Sequence, residues 1–101
     1  MLILKEQLLN NLLEAYIWYD EHKAGLGAEF DNEFYARLSQ IEREPSIGPI
    51  VFKDFRRVIL QRFPYGLYYR VLDENIIVYS CLHLKQSPDS IAAMIEQSRE
   101  K

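Results

Sequence analysis

The stretch from Phe55 to His83 constrains the fold more than any other part of this sequence. It holds three segments of alternating residues, and alternation with a period of two is typical of β-strands. Pro64 and Gly66 separate the first pair of segments and Asp73 follows the second, so both connections have turn composition. The stretch therefore predicts three consecutive antiparallel strands. These predicted strands span residues 55–63, 67–72 and 76–83.

The third predicted strand is almost continuously apolar, which favours a central strand covered on both faces. The first has arginines on both faces, so its ends are expected to reach solvent. Strict alternation divides the side chains of the third strand into two sets. One set is Ile76, Val78, Ser80 and Leu82, and the other is Ile77, Tyr79, Cys81 and His83.

Two stretches before the sheet have the apolar spacing of amphipathic helices, over about residues 6–22 and 27–43. Gly25 supplies a left-handed exit from the first helix. Pro45 ends the second, because the residue before a proline avoids the α region. The short link between them predicts an antiparallel helical hairpin. The apolar stripe of the first helix comprises Leu8, Leu9, Leu12, Leu13, Tyr16 and Ile17.

The two ends of the chain carry weaker signals. Residues 1–4 are apolar but too short to assign, and a truncated edge strand is one interpretation. Ser87 suits a helix N-cap and Pro88 the first helical position, which predicts a short C-terminal helix. The whole is a single α+β domain over residues 1–101, with an N-terminal helical hairpin packed on a small antiparallel sheet.

The cysteine content and the distribution of charge indicate the cellular compartment of the protein and the kind of partner it binds. The single cysteine, Cys81, fits a reducing compartment, and neither a leader nor an apolar run of about 20 residues is present. These features predict a cytoplasmic protein without a membrane segment. Residues 1–46 carry four basic and nine acidic side chains, whereas residues 47–88 carry six basic and three acidic ones. This asymmetry argues against a general nucleic-acid coat and leaves room for a local cationic patch that meets an acidic partner.

The histidines offer little metal chemistry. Neither His22 nor His83 has a cysteine or a second histidine at ligand spacing, so no metal and no cofactor are predicted. His83 and Lys85 lie just past the third strand, where a histidine beside cations could act as acid or base on a phosphodiester. The alternative is a strand-end histidine that is hydrogen-bonded to backbone.

Arginines and aromatic residues are the other candidate binding groups. Arg56, Arg57 and Arg62 can each bind a phosphate or carboxylate in bidentate fashion, but alternation spreads them over both faces. The alternative is an exposed strand face, or ion pairs with the acidic helices. The aromatic pairs Trp18-Tyr19 and Tyr68-Tyr69 are interpreted as core and hairpin-packing residues rather than as stacking platforms.

Several short segments, taken in order, resemble a known family. They are Trp18-Tyr19, Gly25-Leu26-Gly27 before Phe30, Arg56-Arg57, Phe63-Pro64-Tyr65 and His83, within a match from about Leu12 to Pro88. This pattern resembles the RelE/ParE toxin superfamily, and most closely its ParE-like plasmid stabilisation toxins. The resemblance implies the toxin of a type II toxin–antitoxin pair, neutralised by a cognate antitoxin that wraps it. Acidic antitoxin residues would meet Arg56, Arg57 and Arg62.

The two branches of this superfamily have different targets, so the resemblance leaves two candidate targets for this protein. ParE-like members inhibit DNA gyrase, whereas RelE-like members cleave mRNA on the ribosome with the help of arginines. At the positions of those arginines this sequence has Gln61 and Gln86, and glutamine cannot neutralise the charge of phosphodiester cleavage. We therefore expect inhibition of gyrase through protein–protein contact, not catalysis. The alternatives are a ribosome-dependent endonuclease that uses His83, Lys85, Arg57 and Arg62, or an inactive homologue that serves as a binding module, and self-association stays open.

Overall fold

The computed structural model describes residues 1–86, 91–93 and 96. Residues 91–93 and Glu96 are helical, in agreement with the predicted short C-terminal helix, whereas Ser87 and Pro88 lie outside the described residues. No helix in the described part of the chain is long and apolar enough to cross a membrane. The elements are β1 (Leu2–Leu4), α1 (Glu6–His22), α2 (Leu26–Arg43), β2 (Ile50–Phe52), β3 (Phe55–Ile59), β4 (Tyr65–Leu72) and β5 (Asn75–His83).

The predicted helical hairpin is confirmed, and hydrogen bonds to one carboxylate hold the short connection between its helices. Asp20 Oδ1 accepts hydrogen bonds from the backbone N–H groups of Gly25 and Gly27, at 3.0 and 3.2 Å. Gly25 has φ = 89°, a left-handed conformation that favours glycine. At Gly27 the helices approach so closely that a Cβ would lie 2.7 Å from the backbone oxygen of Tyr16. The link therefore sets the spacing of α1 and α2 at the end where α1 stops.

The sheet has five strands in the order β1-β5-β4-β3-β2. β3, β4 and β5 form the predicted antiparallel meander, but β1 pairs in parallel with β5, through Leu2–Leu4 and Ile76–Val78. The sheet is therefore mixed: the predicted antiparallel meander is confirmed, and the short edge strand considered for residues 1–4 adds a parallel pairing to it. A three-residue strand has too little sequence for a period to show, and β1 finds its partner more than 70 residues along the chain.

The edge formed by β2 and β3 also differs from the prediction. β2 was not predicted, and it joins β3 through a tight turn in which Lys53 has φ = 51°. The first predicted strand was expected to reach Phe63 but ends at Ile59. Beyond it, the backbone N–H groups of Gln61 and Arg62 donate to the carboxylate of Glu33 on α2 instead of to a neighbouring strand. The chain just beyond β3 is therefore bonded to a helix side chain rather than to another strand.

A β-bulge in β5 changes which side chains share a face. The register pairs Tyr68 with Ser80 but Tyr69 with Val78, so Tyr79 is an extra residue on β5. An extra residue inverts the alternation for everything that follows it. The two predicted sets were therefore wrong beyond the bulge. The face against the hairpin carries Ile76, Val78, Cys81 and His83, and the opposite face carries Ile77, Tyr79, Ser80 and Leu82.

The sheet is covered on both faces, as predicted for its central strand. The hairpin buries Leu8, Leu12, Phe30, Phe34, Leu38 and Ile41 against Val58, Leu67, Tyr69, Val78 and Cys81. On the other face Phe55, Tyr68, Tyr79 and Leu82 pack with Ile91.

Candidate functional site

A cleft of about 400 Å³ opens between the C-terminal half of α1 and the end of β5. β1 pairs only with residues Ile76–Val78, so the outer edge of β5 beyond Val78 is left to α1. Asn11 Oδ1 accepts a hydrogen bond of 3.1 Å from the Cys81 N–H at this edge, which holds α1 along the strand. The cleft lies where the two elements diverge. It is lined by Trp18, Tyr19, Tyr65, His83, Lys85 and Gln86.

Aromatic rings in contact with each other form the floor and one wall of the cleft. The ring of Tyr19 lies 4.8 Å from that of Phe63, edge to face, and 6.1 Å from that of Tyr65. Tyr65 in turn meets the His83 ring edge to face at 5.2 Å. Such pairs favour fixed relative orientations. Burial raises the pKa of Tyr65 to about 12.

Trp18 forms the opposite, outer wall. Trp18 is 53 % exposed. His22, one turn later on α1, stacks on the indole at 3.8 Å, and His22 Nδ1 lies 2.7 Å from the Trp18 backbone oxygen. Tyr19 meets the indole edge to face at 4.9 Å. The interpretation of Trp18 as core was wrong, because the indole projects beside the sheet rather than under it.

His83 and Lys85, the two candidate catalytic residues, both line the cleft. His83 Nδ1 accepts a 3.0 Å hydrogen bond from the Lys85 backbone N–H. This is the backbone-bonded strand-end histidine of the second interpretation, and the bond holds the imidazole against Tyr65. Because of the bulge, His83 faces α1, whereas strict alternation would have placed it with Tyr79.

A smaller cleft of about 220 Å³ continues the first along α1 and β5. It shares Trp18, Tyr65, His83 and Gln86 with the first and adds the carboxylate of Glu14. The groove as a whole therefore has a cation, Lys85, at one end and an anion at the other. Within the described part of the chain, no arginine lines either cleft, and no three His, Cys, Asp or Glu side chains gather as metal ligands.

The structure places the three candidate arginines in three different surroundings. The guanidinium of Arg56 donates to the Gly48 carbonyl at 2.7 Å, in the loop after α2. Arg62 forms a 2.7 Å ion pair with Glu29 of α2, and this pair lowers the pKa of the Glu29 carboxyl. Such an exposed pair adds little stability.

Arg57 lies on the other face of the sheet. It is opposite Tyr68 in the register, and a Cβ on Gly66 would come within 3.0 Å of Arg57 Cδ. Among the described residues, no hydrogen bond or ion pair engages its guanidinium. The three arginines therefore do not form one site.

The two glutamines also separate. Gln86 lines the cleft with His83, whereas Gln61 is exposed in the loop that Glu33 binds. The positions at which the resemblance places the nuclease arginines are thus not both in the cleft.

Sequence reasoning did not identify the aromatic cleft. One signal was available: Asn11 and Trp18 are seven residues apart, so they lie on the same side of α1. The β-bulge in β5 gave no such signal, and without it the side chain of His83 would point to the opposite face of the sheet, away from α1.

A second exposed surface lies on the hairpin. The stripe predicted for α1 is only half buried: Leu8 and Leu12 are in the core, whereas Leu9, Leu13 and Ile17 are 48, 59 and 47 % exposed. Leu9 and Leu13 line a cleft of about 350 Å³ together with Asp31 and Tyr35 of α2. Burial raises the pKa of this carboxyl.

Comparison with known proteins identifies the fold and its relatives. Residues 2–88 match the model of a family described as the ParE toxin of the type II toxin–antitoxin system parDE. A search of curated proteins finds no match.

Among solved structures, the chain is similar to one from the chromosomal ParDE system of P. aeruginosa, with a TM-score of 0.75 and 15 % identity over 83 % of this chain and 95 % of that one. It is also similar to one from the intact E. coli RelBE toxin–antitoxin complex, with a TM-score of 0.64 and 20 % identity over 85 % of this chain and 98 % of that one. It is similar as well to the isolated E. coli RelE toxin, with a TM-score of 0.63 and 20 % identity over 96 % of this chain and 97 % of that one.

Proposed function

Because the chain belongs to the ParE toxin family of type II toxin–antitoxin systems, we propose that it arrests its host by protein–protein inhibition of DNA gyrase. The ParDE and RelBE systems among the similar structures support an antitoxin as its neutralising partner. Gyrase and the ribosome are both cytoplasmic, so the proposal puts the toxin in the cytoplasm.

The observation that carries this proposal is the composition of the cleft around His83. Cleavage of a phosphodiester develops negative charge, which nucleases stabilise with several preorganised cations. Here the described walls supply aromatic rings, Gln86 and a single ammonium group, that of Lys85. The chain as a whole carries a net charge of −3, which opposes docking on RNA.

The endonuclease hypothesis would require four groups to converge. Only two of them, His83 and Lys85, line the cleft. Arg62 is paired with Glu29, and Arg57 lies across Gly66 on the opposite face of the sheet. A phosphate at His83 would therefore have one cation beside it rather than three, and this geometry favours inhibition over catalysis.

The proposal is tested by expressing the protein without its antitoxin and examining the arrest. We expect filamentation with induction of the DNA-damage response, and loss of supercoiling activity when purified toxin is added to purified gyrase. Rapid loss of translation with cleaved mRNA would instead support the endonuclease. Unimpaired growth would identify an inactive homologue.

One substitution separates inhibition from catalysis at the same position. His83→Phe retains a ring against Tyr65 but removes both nitrogens. An inhibitor that works by contact should lose only part of its potency, because the ring stays while the hydrogen bond to the Lys85 N–H is lost. A general acid or base would lose roughly 100-fold or more. Growth inhibition and mRNA integrity are measured for both proteins at equal expression. A loss of about 100-fold together with the loss of mRNA cleavage would refute the contact mechanism.

For the antitoxin, we propose two contact surfaces. The first is cationic: Arg57 is available to an acidic partner, whereas Arg56 and Arg62 must first leave Gly48 and Glu29. We therefore expect Arg57→Glu to weaken antitoxin binding more than Arg62→Glu, as measured by titration calorimetry.

The second surface is the exposed stripe of Leu9, Leu13 and Ile17, which fits the apolar face of an amphipathic helix. A complex in which the antitoxin touches only the C-terminal helix would contradict both assignments.

A further inference from the structure

Trp18 combines exposure with ring contacts on two sides. The residue is more than half exposed, yet His22 covers one face of the indole and Tyr19 contacts its edge, at 3.8 and 4.9 Å. Ordering a side chain at an interface normally costs about 0.5–1.5 kcal/mol. Here the contacts with His22 and Tyr19 already order the indole in the free protein, so binding would not add this cost. An exposed tryptophan held in this way beside a cleft has the properties of a binding hot spot.

The cleft beside Trp18 is suited to one bulky side chain. Its volume of about 400 Å³ is near the lower end of ligand pockets, and its walls are the rings of Trp18, Tyr19 and Tyr65. His83 and Lys85 lie at its mouth, where no described residue pairs with the ammonium of Lys85. An occupant that presents an apolar group with a carboxylate beside it would match both features.

We propose that this aromatic cleft is the surface with which the toxin contacts its target protein. It receives a bulky apolar side chain of the target, and an acidic residue next to that side chain pairs with Lys85. The proposal rests on the function proposed above and extends it by naming the contact and the chemistry of the partner.

The same features favour a protein over a nucleic acid as the occupant. Stacking of successive bases goes together with a positively charged groove that follows the backbone. The continuation of this cleft carries Glu14 instead, and no arginine among the described lining residues. A peptide segment avoids this mismatch, because its backbone is neutral and only one acidic side chain needs to reach Lys85.

The cleft is also distinct from both surfaces assigned to the antitoxin: among its described lining residues there is no arginine, and the exposed stripe lies on another side of α1. At 100° per residue, Trp18 and Leu13 point about 140° apart around α1. One faces the end of β5, and the other belongs to the exposed stripe beside Tyr35. Variants of Trp18 can therefore separate target binding from neutralisation.

The single tryptophan of the chain provides a direct probe. Toxin labelled with 5-fluorotryptophan should show one ¹⁹F resonance, which reports on the cleft. We expect purified gyrase holoenzyme to change the chemical shift of this resonance, since broadening alone would follow from binding at any surface. A single-stranded oligoribonucleotide should leave the resonance unchanged.

Two variants test the apolar and the charged part of the contact. Trp18→Ala and Lys85→Glu should each reduce growth inhibition and gyrase inhibition on the order of tenfold or more. Ile50→Ala is the matched control for the first, because Ile50 is 56 % exposed on β2. Arg43→Glu is the control for the second, since it makes the same charge reversal at the far end of α2. Both controls should retain inhibition within about twofold, and all four variants should unfold near the wild-type temperature.

The outcomes separate this inference from the function on which it rests. If wild-type toxin inhibits gyrase and Trp18→Ala inhibits equally well, the cleft is not the contact, although the proposed function stands. If the oligoribonucleotide moves the resonance and Trp18→Ala abolishes mRNA cleavage, the cleft binds RNA and both proposals are wrong. Selective loss of gyrase inhibition in Trp18→Ala and Lys85→Glu, with the antitoxin bound as by wild type, supports the contact.

Discussion

The two adjacent tyrosines of β4 provide a strong test of how this fold is held together. Tyr69 is fully buried, and its hydroxyl accepts a 3.0 Å hydrogen bond from the Gly48 N–H and donates a 2.7 Å bond to the Pro45 carbonyl. These bonds tie the loop after α2 to the middle of the sheet. Tyr69→Phe removes both and keeps the ring.

The cost can be worked out from the two backbone groups that lose their partner. A buried group left without a hydrogen bond costs about 1–3 kcal/mol. Gly48 is buried, whereas Pro45 is half-buried, so water can satisfy part of its carbonyl. We therefore expect Tyr69→Phe to lower the free energy of unfolding by about 2 kcal/mol. In urea this would shift the midpoint by roughly 1–2 M.

Tyr68 is the matched control, because it lies next in sequence on the opposite face. It is 1 % exposed, and its hydroxyl has no hydrogen-bond partner among the described residues. Removing an unsatisfied buried hydroxyl relieves a penalty, so Tyr68→Phe should leave stability unchanged or raise it by up to about 1 kcal/mol. Equal losses in the two variants, or a loss below about 0.5 kcal/mol for Tyr69→Phe, would refute this assignment of hydrogen bonds.

Two further predictions concern the hairpin and the core. Gly27→Ala should destabilise the protein by about 1–3 kcal/mol in thermal unfolding, because its Cβ would meet the Tyr16 backbone at 2.7 Å and force the helices apart; a neutral effect would show that α1 and α2 can separate freely. Burial raises the pKa of the Cys81 thiol from 9.0 to about 12, so the unfolded chain releases this proton first and stability should fall as pH rises above 9. Between pH 8 and 10.5 the free energy of unfolding, measured by urea titration, should fall on the order of 2 kcal/mol. In Cys81→Ala the free energy of unfolding should depend less steeply on pH. Equal pH dependence in the variant and the wild type would contradict the burial of the thiol.

The elements that the sequence predicts best are those with a long, regular pattern. Both helices and the three-stranded meander were predicted to within a few residues at most ends, since each carries several turns or alternations of apolar residues. β1 and β2, with three residues each, carry no such pattern. Their pairing depends on which strand edge the rest of the fold leaves open.

The candidate site was less predictable, because its geometry depends on contacts between distant parts of the chain. The sequence shows that Arg56, Arg57 and Arg62 are cations, but only the fold shows that Gly48 and Glu29 engage two of them. The same holds for Trp18, whose helical position is compatible with either core or surface until the width of the sheet is known.

The sequence by itself determined the helical hairpin, the meander and the resemblance to ParE-like toxins, because all three depend on local periods and short motifs. Only the tertiary structure decided the face of His83. One extra residue at Tyr79 inverts the alternation of β5 and turns His83 towards Trp18 on α1. A bulge of this kind is set by the register between two strands, which no pattern within either strand records.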